Sequence, residues 1–505
     1  MEIIDGIEDE EIEFSLLHDL PLSFVKGNLF LPLKRQDGEL LAAVSDNRGI
    51  SALRDLARNL GLKPHPVMAN KEMILNAINR IYSRTSTVDK VMGDIRGEDL
   101  SMIATEFESP KDLLELTEEA PITRLINALL LEAVKERASD IHIEPYEKGV
   151  EVRLRVDGIL RRILSPPKIV QEALISRVKI IANLDIAEKR LPQDGRIKLL
   201  VGGKDIDIRV SIIPTALGER AVLRLLDRQA GVMSLEALGL TDSILNSFKE
   251  ALARQNGIIL VTGPTGSGKT TTLYGSLLKL NTEERNIITV EDPVEYQLTG
   301  IGQMHVNPKI GLTFASGLRA ILRQDPDIMM VGEIRDLETA EIAVHASLTG
   351  HLVLSTLHTN DAPSALTRLI DMGIEPFLVA SSLVCVLAQR LVRVICPHCK
   401  ESYVPTAQEI AYLNLDPPPV SLYRGRGCDK CLGKGYLGRT GIYELLEITP
   451  EVRKMTVERK DAQSIRSRAM SAGFKVLKDN AVQKVMRGIT TIEEVLRVTQ
   501  KDIEE

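Results

Sequence analysis

The 505-residue sequence contains no Trp, and only 3% of it is aromatic. Carbohydrate-binding surfaces and base-stacking platforms are built on aromatic rings, so both readings are disfavoured. A basic excess is also missing: 63 Lys and Arg stand against 70 Asp and Glu, a formal net charge of -7. Dedicated nucleic-acid binders usually carry a basic stripe. The local basic clusters, Arg161-Arg162 and Arg390 to Arg393, read as solvated or nucleotide-facing charge. Long apolar runs are absent too. The longest, Phe377 to Ala388, lies between Glu375 and Arg390 and is too short to cross a bilayer unaided. The acidic start, Met1 to Glu10, lacks the basic opening of a secretory signal. A cytoplasmic protein is expected, with any membrane attachment made through a partner. Cysteine is scarce, at five. Four fall in two Cys-x-x-Cys pairs, which in a reducing compartment favour a metal over disulfides. Cys385 stands alone in an apolar run and reads as a buried core thiol.

What is present suggests several domains, because 505 residues exceed what one core usually organises. Residues 1–85 mix short helical and strand patterns, including a helix from Ser51 to Leu62 that Gly61 could end, and read as a docking domain. The polar stretch 86–110 reads as a linker. Residues 111–230 open with a helix at Pro121 and continue as strands. Val150, Val152, Leu154 and Val156 alternate with Glu151, Arg153 and Arg155, and Asp157-Gly158 turns the chain into Ile159 to Leu164. A second hairpin turns at Gly202-Gly203. This region is α+β, and 231–239 connects it to the rest. From 240 to 505 apolar strands alternate with helices, the pattern of a mostly parallel α/β sheet.

The clearest motif is Gly263-Pro264-Thr265-Gly266-Ser267-Gly268-Lys269-Thr270, a G-x-x-x-x-G-K-[ST] loop between a predicted strand and a predicted helix. Its glycines let backbone N–H groups converge on phosphate oxygens, and the helix N-terminus adds a favourable dipole. Lys269 is expected to reach the β and γ phosphates, and the Thr270 hydroxyl, followed by Thr271, to meet Mg²⁺. ATP binding with hydrolysis follows as the expectation.

Hydrolysis needs an acid near the metal. Two strand ends offer carboxylates: Glu291, Asp292 and Glu295 after Ile287 to Val290, and Glu333 after Ile328 to Val331. Glu333 stands where such strands usually end in Asp. It could polarise water, hold Mg²⁺ through water, or both, and it is the preferred water-activating group. His351 and His358 flank the strand Leu352 to Ser355. They read either as structural histidines or as sensors of the γ-phosphate.

Cys396-Pro397-His398-Cys399 and Cys428-Asp429-Lys430-Cys431 flank 28 residues. Two such knuckles supply four thiolates for a tetrahedral Zn²⁺, although the gap exceeds the commonest zinc-ribbon spacing. The module is expected at 390–440 and its zinc is expected to be structural.

Together these motifs resemble the secretion traffic ATPases, the type II/IV secretion ATPase family. The resemblance rests on Leu191 to Arg196, Arg209-Val210-Ser211, Gly218 to Asp227, the phosphate loop, Val290 to Tyr296, Gly332 to Asp336, Leu357-His358-Thr359 and the four cysteines. It implies a P-loop (RecA-like) ATPase domain with a zinc-binding insert, after a central α+β (PAS-like) domain and a small N-terminal docking domain. It also implies a homo-hexameric ring, with nucleotide between the central and C-terminal domains. Arg209 and Arg224 would supply catalytic positive charge. Arg319, Arg323, Arg335 and Arg439 would assist nucleotide binding or subunit contact. Within the family the chain looks like the type II secretion branch, whose ATPase drives pseudopilus assembly at the inner membrane. Its partners there would be the L component, through the N-terminal domain, and the F component, with no nucleic acid. The alternatives are a type IV pilus assembly ATPase, a nucleic-acid-translocating motor and a nucleotide-sensing scaffold without turnover.

Overall fold

A computed structural model describes residues 4, 6, 7, 12–17, 20, 22–36, 38–75, 77, 78, 121–201, 204–227, 233–415, 418 and 421–499. The expected linker at 86–110 and the Gly202-Gly203 turn lie outside the described residues. By its internal contacts the chain divides into two compact units, Met1–Ala230 and Gly231–Glu505.

The first unit begins with a three-stranded sheet of β1 (Phe30–Gln36), β2 (Glu39–Val44) and β3 (Lys63–Met68). Helix α1 (Asn47–Leu60) packs Leu53 and Ala57 into its core. The helix starts a turn before the expected Ser51 because the Asp46 carboxylate accepts the N–H groups of Arg48 and Gly49. Gly61 ends it in the left-handed region, at φ 68°.

The next core belongs to a six-stranded antiparallel sheet ordered β6-β5-β4-β9-β8-β7. Its strands are β4 (Asp140–Pro145), β5 (Val150–Val156), β6 (Ile159–Leu164), β7 (Gln193–Val201), β8 (Lys204–Thr215) and β9 (Gly218–Asp227). The predicted alternation holds: Val150, Val152, Leu154 and Val156 are buried while the residues between them are half-buried. They share one core with helices α2 (Pro121–Lys135) and α3 (Gln171–Ile181). A register slip of one residue would turn this whole set to the opposite face, at about 1.5–3 kcal/mol for each large side chain exposed.

The second unit is built on a seven-stranded sheet ordered β12-β11-β13-β14-β10-β15-β18. The strands are β10 (Gly257–Thr262), β11 (Ile287–Glu291), β12 (Gly302–His305), β13 (Ile328–Val331), β14 (Leu352–Leu357), β15 (Leu383–Ile395) and β18 (Tyr436–Glu447). Between the last two, β16 (Lys400–Tyr403) and β17 (Leu422–Gly425) form a separate hairpin. All neighbours in the large sheet are parallel except β15 and β18. Strands β10, β13 and β14 are buried along their whole length, which explains their mostly apolar sequence. The predicted apolar run Phe377 to Ala388 splits between a helix, Pro376–Ser382, and the start of β15, where Cys385 is buried as expected.

The described residues of the connecting segment 231–239 pack into the second unit. Leu235 and Leu238 are buried with Leu273, Tyr274 and Leu277. The Tyr443 hydroxyl donates to Leu238 O at 3.0 Å, and Lys484 Nζ donates to Gly239 O at 2.6 Å.

Candidate functional site

The loop Gly263 to Gly268 joins the end of β10 to helix α4 (Lys269–Leu280). All three of its glycines lie at positive φ. Gly263 has φ 144°, and a Cβ there would lie 2.4 Å from Gln389 O. Gly268 caps the helix in the left-handed region at φ 89°. Lys269 is only 9% exposed, and its Nζ donates to Gly263 O at 2.7 Å and Pro264 O at 3.1 Å. Burial pushes its pKa down to about 8, against the opposing pull of Glu333. Thr270 and Thr271 are exposed at the first helical turn. Thr262 Oγ1, at the end of β10, accepts the Thr359 N–H at 2.9 Å and so ties the loop to the segment after β14.

Glu333 follows β13, and His358 follows β14, the strand between β13 and β10. His358 Nε2 lies 3.4 Å from Glu333 Oε2, while Arg335 pairs with Oε1. The Glu333 side chain is 14% exposed. Burial first, then Lys269 and Arg335, lowers the His358 pKa against the pull of Glu333, which keeps the ring neutral near pH 7. The loop, Glu333 and His358 thus occupy the C-terminal ends of three adjacent parallel strands, where open α/β sheets bind ligands. An exposed hydroxyl at Thr270 and a carboxylate at Glu333 are the hard oxygen donors that Mg²⁺ requires.

Other expected residues land differently. His351 lies at the opposite end of β14, where its backbone O accepts the Gly257 N–H at 3.2 Å and its Nδ1 lies 2.9 Å from Ala346 O. A six-residue strand separates it from the phosphate loop, on the order of 20 Å, so it does not share the site with His358. Glu291 is 2% exposed and turned inward. Its Oε2 accepts the Tyr274 hydroxyl at 2.5 Å, and its Oε1 accepts the Thr289 hydroxyl at 2.6 Å and Gln303 Nε2 at 3.0 Å. It braces α4 against β11 instead of facing phosphate. Asp292 is exposed and contributes to the field at Arg335. The Glu295 N–H donates to the Tyr274 hydroxyl at 3.1 Å, so the end of the acidic box is tied to the same brace. Arg319 of helix α5 (Phe314–Ile321) pairs with Glu338 at 2.6 Å, and Arg323, just past the helix, donates to Arg319 O at 2.9 Å. Arg439 is exposed on β18, opposite Arg393 of β15.

In the first unit, Arg209 and Arg224 are direct cross-strand partners on β8 and β9. They share the sheet face opposite the apolar core with two buried acids that the sequence reading missed. Asp140 accepts Arg224 Nε at 2.9 Å and lies 3.5 Å from Arg155 Nε. Glu144 pairs with Arg153 at 2.5 Å and Arg220 at 2.6 Å. The signal was legible, since Asp140, His142 and Glu144 alternate with Ile141 and Ile143 at strand period.

The four cysteine sulfurs all lie within 4.8 Å of one another. Cys396 and Cys428 are 3.9 Å apart, while Cys399–Cys431 and Cys428–Cys431 are 3.8 Å apart. A tetrahedron with Zn–S of about 2.3 Å has edges of about 3.8 Å. Backbone N–H groups of Gly427, Cys428 and Gly435 point at the sulfurs of Cys399, Cys431 and Cys431, at 3.3, 3.2 and 3.2 Å. Such bonds favour thiolates. The donor set and its spacing fit zinc.

Comparison with known proteins gives a consistent picture. Residues 115–497 match the model described as type II/IV secretion system protein, and residues 5–88 match the MshEN domain. The type II secretion system protein E of Pseudomonas aeruginosa is 52% identical over 488 residues, which are 96% of each chain. The type II secretion system ATPase E of Vibrio cholerae is 53% identical over 84% of this chain and 85% of its own. The type IV pilus assembly ATPase PilB of Myxococcus xanthus is 44% identical over 98% and 89%. Among solved structures, the pilus retraction motor PilT with bound ADP aligns with a TM-score of 0.50 and 27% identity, over 75% of this chain and 98% of that one. The ATPase DotB of Legionella pneumophila shares the fold at a TM-score of 0.55 and 23% identity, over 74% and 95%.

Proposed function

The chain belongs to the type II/IV secretion system protein family and is an ATPase, and on that premise we propose that it powers protein export through a type II secretion system by driving pseudopilus assembly. The observation that carries the enzymatic part is the convergence of Lys269, Glu333 and His358 at neighbouring strand ends. In this reading the amides of 263–268 and the α4 N-terminus hold the phosphates, and Lys269 neutralises the β and γ oxygens. Magnesium, held at the Thr270 hydroxyl, supplies further positive charge on those oxygens when bound. Glu333 accepts the proton of the attacking water. The bond between the γ-phosphorus and the bridging oxygen breaks, leaving ADP and phosphate. Arg335 and His358 sit on the two oxygens of Glu333 and fix its orientation. Arg209 and Arg224 add charge, and the four cysteines hold a structural zinc.

The relatives named for type II secretion support the secretion assignment at 52% and 53% identity, against 44% for the pilus assembly relative. Among the described residues no helix is long and apolar enough to cross a membrane. The proposed working state is a homo-hexameric ring on the cytoplasmic face of the inner membrane. It is held there by the L component through the N-terminal domain and by the F component. A closed ring of identical subunits uses a head-to-tail interface. The test is ATP turnover of the purified full-length chain with inner-membrane platform proteins. Stimulation by a secretion platform and not by a pilus platform is expected. The reverse result would assign a pilus, and stimulation by DNA alone would overturn both.

A further inference from the structure

We propose that Gln389 is a positioning residue for the nucleotide site, and that its carboxamide sets the orientation of the Ser267–Gly268 peptide in the phosphate loop. Strand β15 runs beside β10 with Ala388 opposite Thr262, so Gln389 stands where β10 gives way to the loop. It is 1% exposed. Its Nε2 donates to Ser267 O at 2.7 Å, and its Oε1 accepts the Thr272 hydroxyl at 2.7 Å. Its backbone O backs Gly263, and its Nε2 would lie 3.1 Å from a Cβ at Gly268. One residue therefore touches the first glycine of the loop, the last, and the second turn of the helix behind them.

The consequence follows from peptide geometry. In a trans peptide the C=O and the next N–H point in opposite directions. Holding Ser267 O on Gln389 turns the Gly268 N–H away from β15. A loop that binds phosphate through converging N–H groups gains affinity when each peptide plane is already set, because no ordering cost remains at binding. The position demands a donor and an acceptor on one fork of this reach. An ionised Glu cannot donate to Ser267 O, Asn is one methylene short, and Met offers neither group. A buried Gln whose only task was to satisfy the core would affect stability. A positioning Gln also affects affinity in the folded protein.

The inference rests on the reading that this loop binds nucleotide. The test is titration of the full-length chain with ADP by calorimetry, well below the melting temperature, for Gln389→Met and for Gln389→Met combined with Thr272→Val. The double variant removes the hydroxyl that the single one would strand. The expected ADP dissociation constant rises on the order of 10-fold in both variants. The double variant should recover part of any lost melting temperature but none of the affinity. In turnover, KM for ATP should rise more than kcat falls. ADP binding within about 2-fold of the unchanged chain, whatever the melting temperature, would overturn the proposal. If neither Met variant folds, Gln389→Asn decides, because it keeps a carboxamide that falls one methylene short of Ser267 O and Thr272. Unchanged ADP affinity there sinks the idea, and a 10-fold loss supports it. If the unchanged chain itself binds no ADP, the nucleotide-binding reading fails instead.

Discussion

The phosphate loop and the four-cysteine module both announce themselves in short motifs, yet they are built on opposite plans. The cysteine module is nearly self-contained. Its sulfurs come from two knuckles, and the N–H groups that serve them belong to Gly427, Cys428 and Gly435 within or beside those knuckles. The nucleotide site is distributed. The loop follows β10, Glu333 follows β13, His358 follows β14 and Gln389 comes from β15. A local site depends on its own residues, whereas a distributed one depends on the register of the whole sheet.

The sharpest way to separate the two is Glu333→Gln. It should lower kcat by about 10²–10⁴-fold while ATP still binds and bound zinc is unchanged. Turnover equal to the unchanged chain would remove Glu333 from its role. Arg224→Ala tests the catalytic charge proposed for that residue. A fall in kcat on the order of 10²-fold is expected, with retained binding of ADP. Because Asp140 would lose its Arg224 partner, the melting temperature must be measured alongside. Third comes the local plan. Chelation, or Cys399→Ser, should remove one zinc per chain and lower the melting temperature on the order of 10 °C. A chain that holds no zinc, measured by metal analysis, would refute the site.

The histidine pair tests the strand geometry itself. His358→Ala should lower kcat on the order of 10-fold, whereas His351→Ala should change it less than about 2-fold. Equal effects would mean that the position of His351 at the far end of β14 does not matter. The smallest expected signal is a proton. Lys269 sits at about 8, below its ordinary 10.5, so the unfolded chain binds more protons between pH 8 and 10.5. This group therefore makes stability rise with pH across that window. Phosphate reverses the bias, so ADP binding at pH 8 should take up about half a proton. Calorimetry in buffers of different ionisation enthalpy reads it, and zero uptake would contradict a buried, half-deprotonated Lys269.

Much of the architecture was open to reading because it is local. Periodicity marked Val150 to Val156 as a half-buried strand, and mostly apolar runs marked β10, β13 and β14. Misreadings arose where side-chain direction mattered. The acidic box offers three candidate carboxylates, but Glu291 turns inward to Tyr274, Thr289 and Gln303. Helix α1 begins a turn earlier than its apolar spacing predicts, because the Asp46 side chain caps it.

The sequence alone determined that this chain carries a nucleotide loop and two Cys-x-x-Cys knuckles, because contiguous residues at set spacing dictate the local turn whatever surrounds them. Tertiary structure alone decided which distant groups complete the loop. Strands β13, β14, β10 and β15 lie side by side in an order different from their order along the chain. That order brings Gln389, 122 residues away, to Ser267 O and His358 to Glu333. It also leaves His351, only seven positions before His358, at the wrong end of its strand. Pairing across a sheet is set by the packing of buried faces over the whole domain, and no local spacing encodes it.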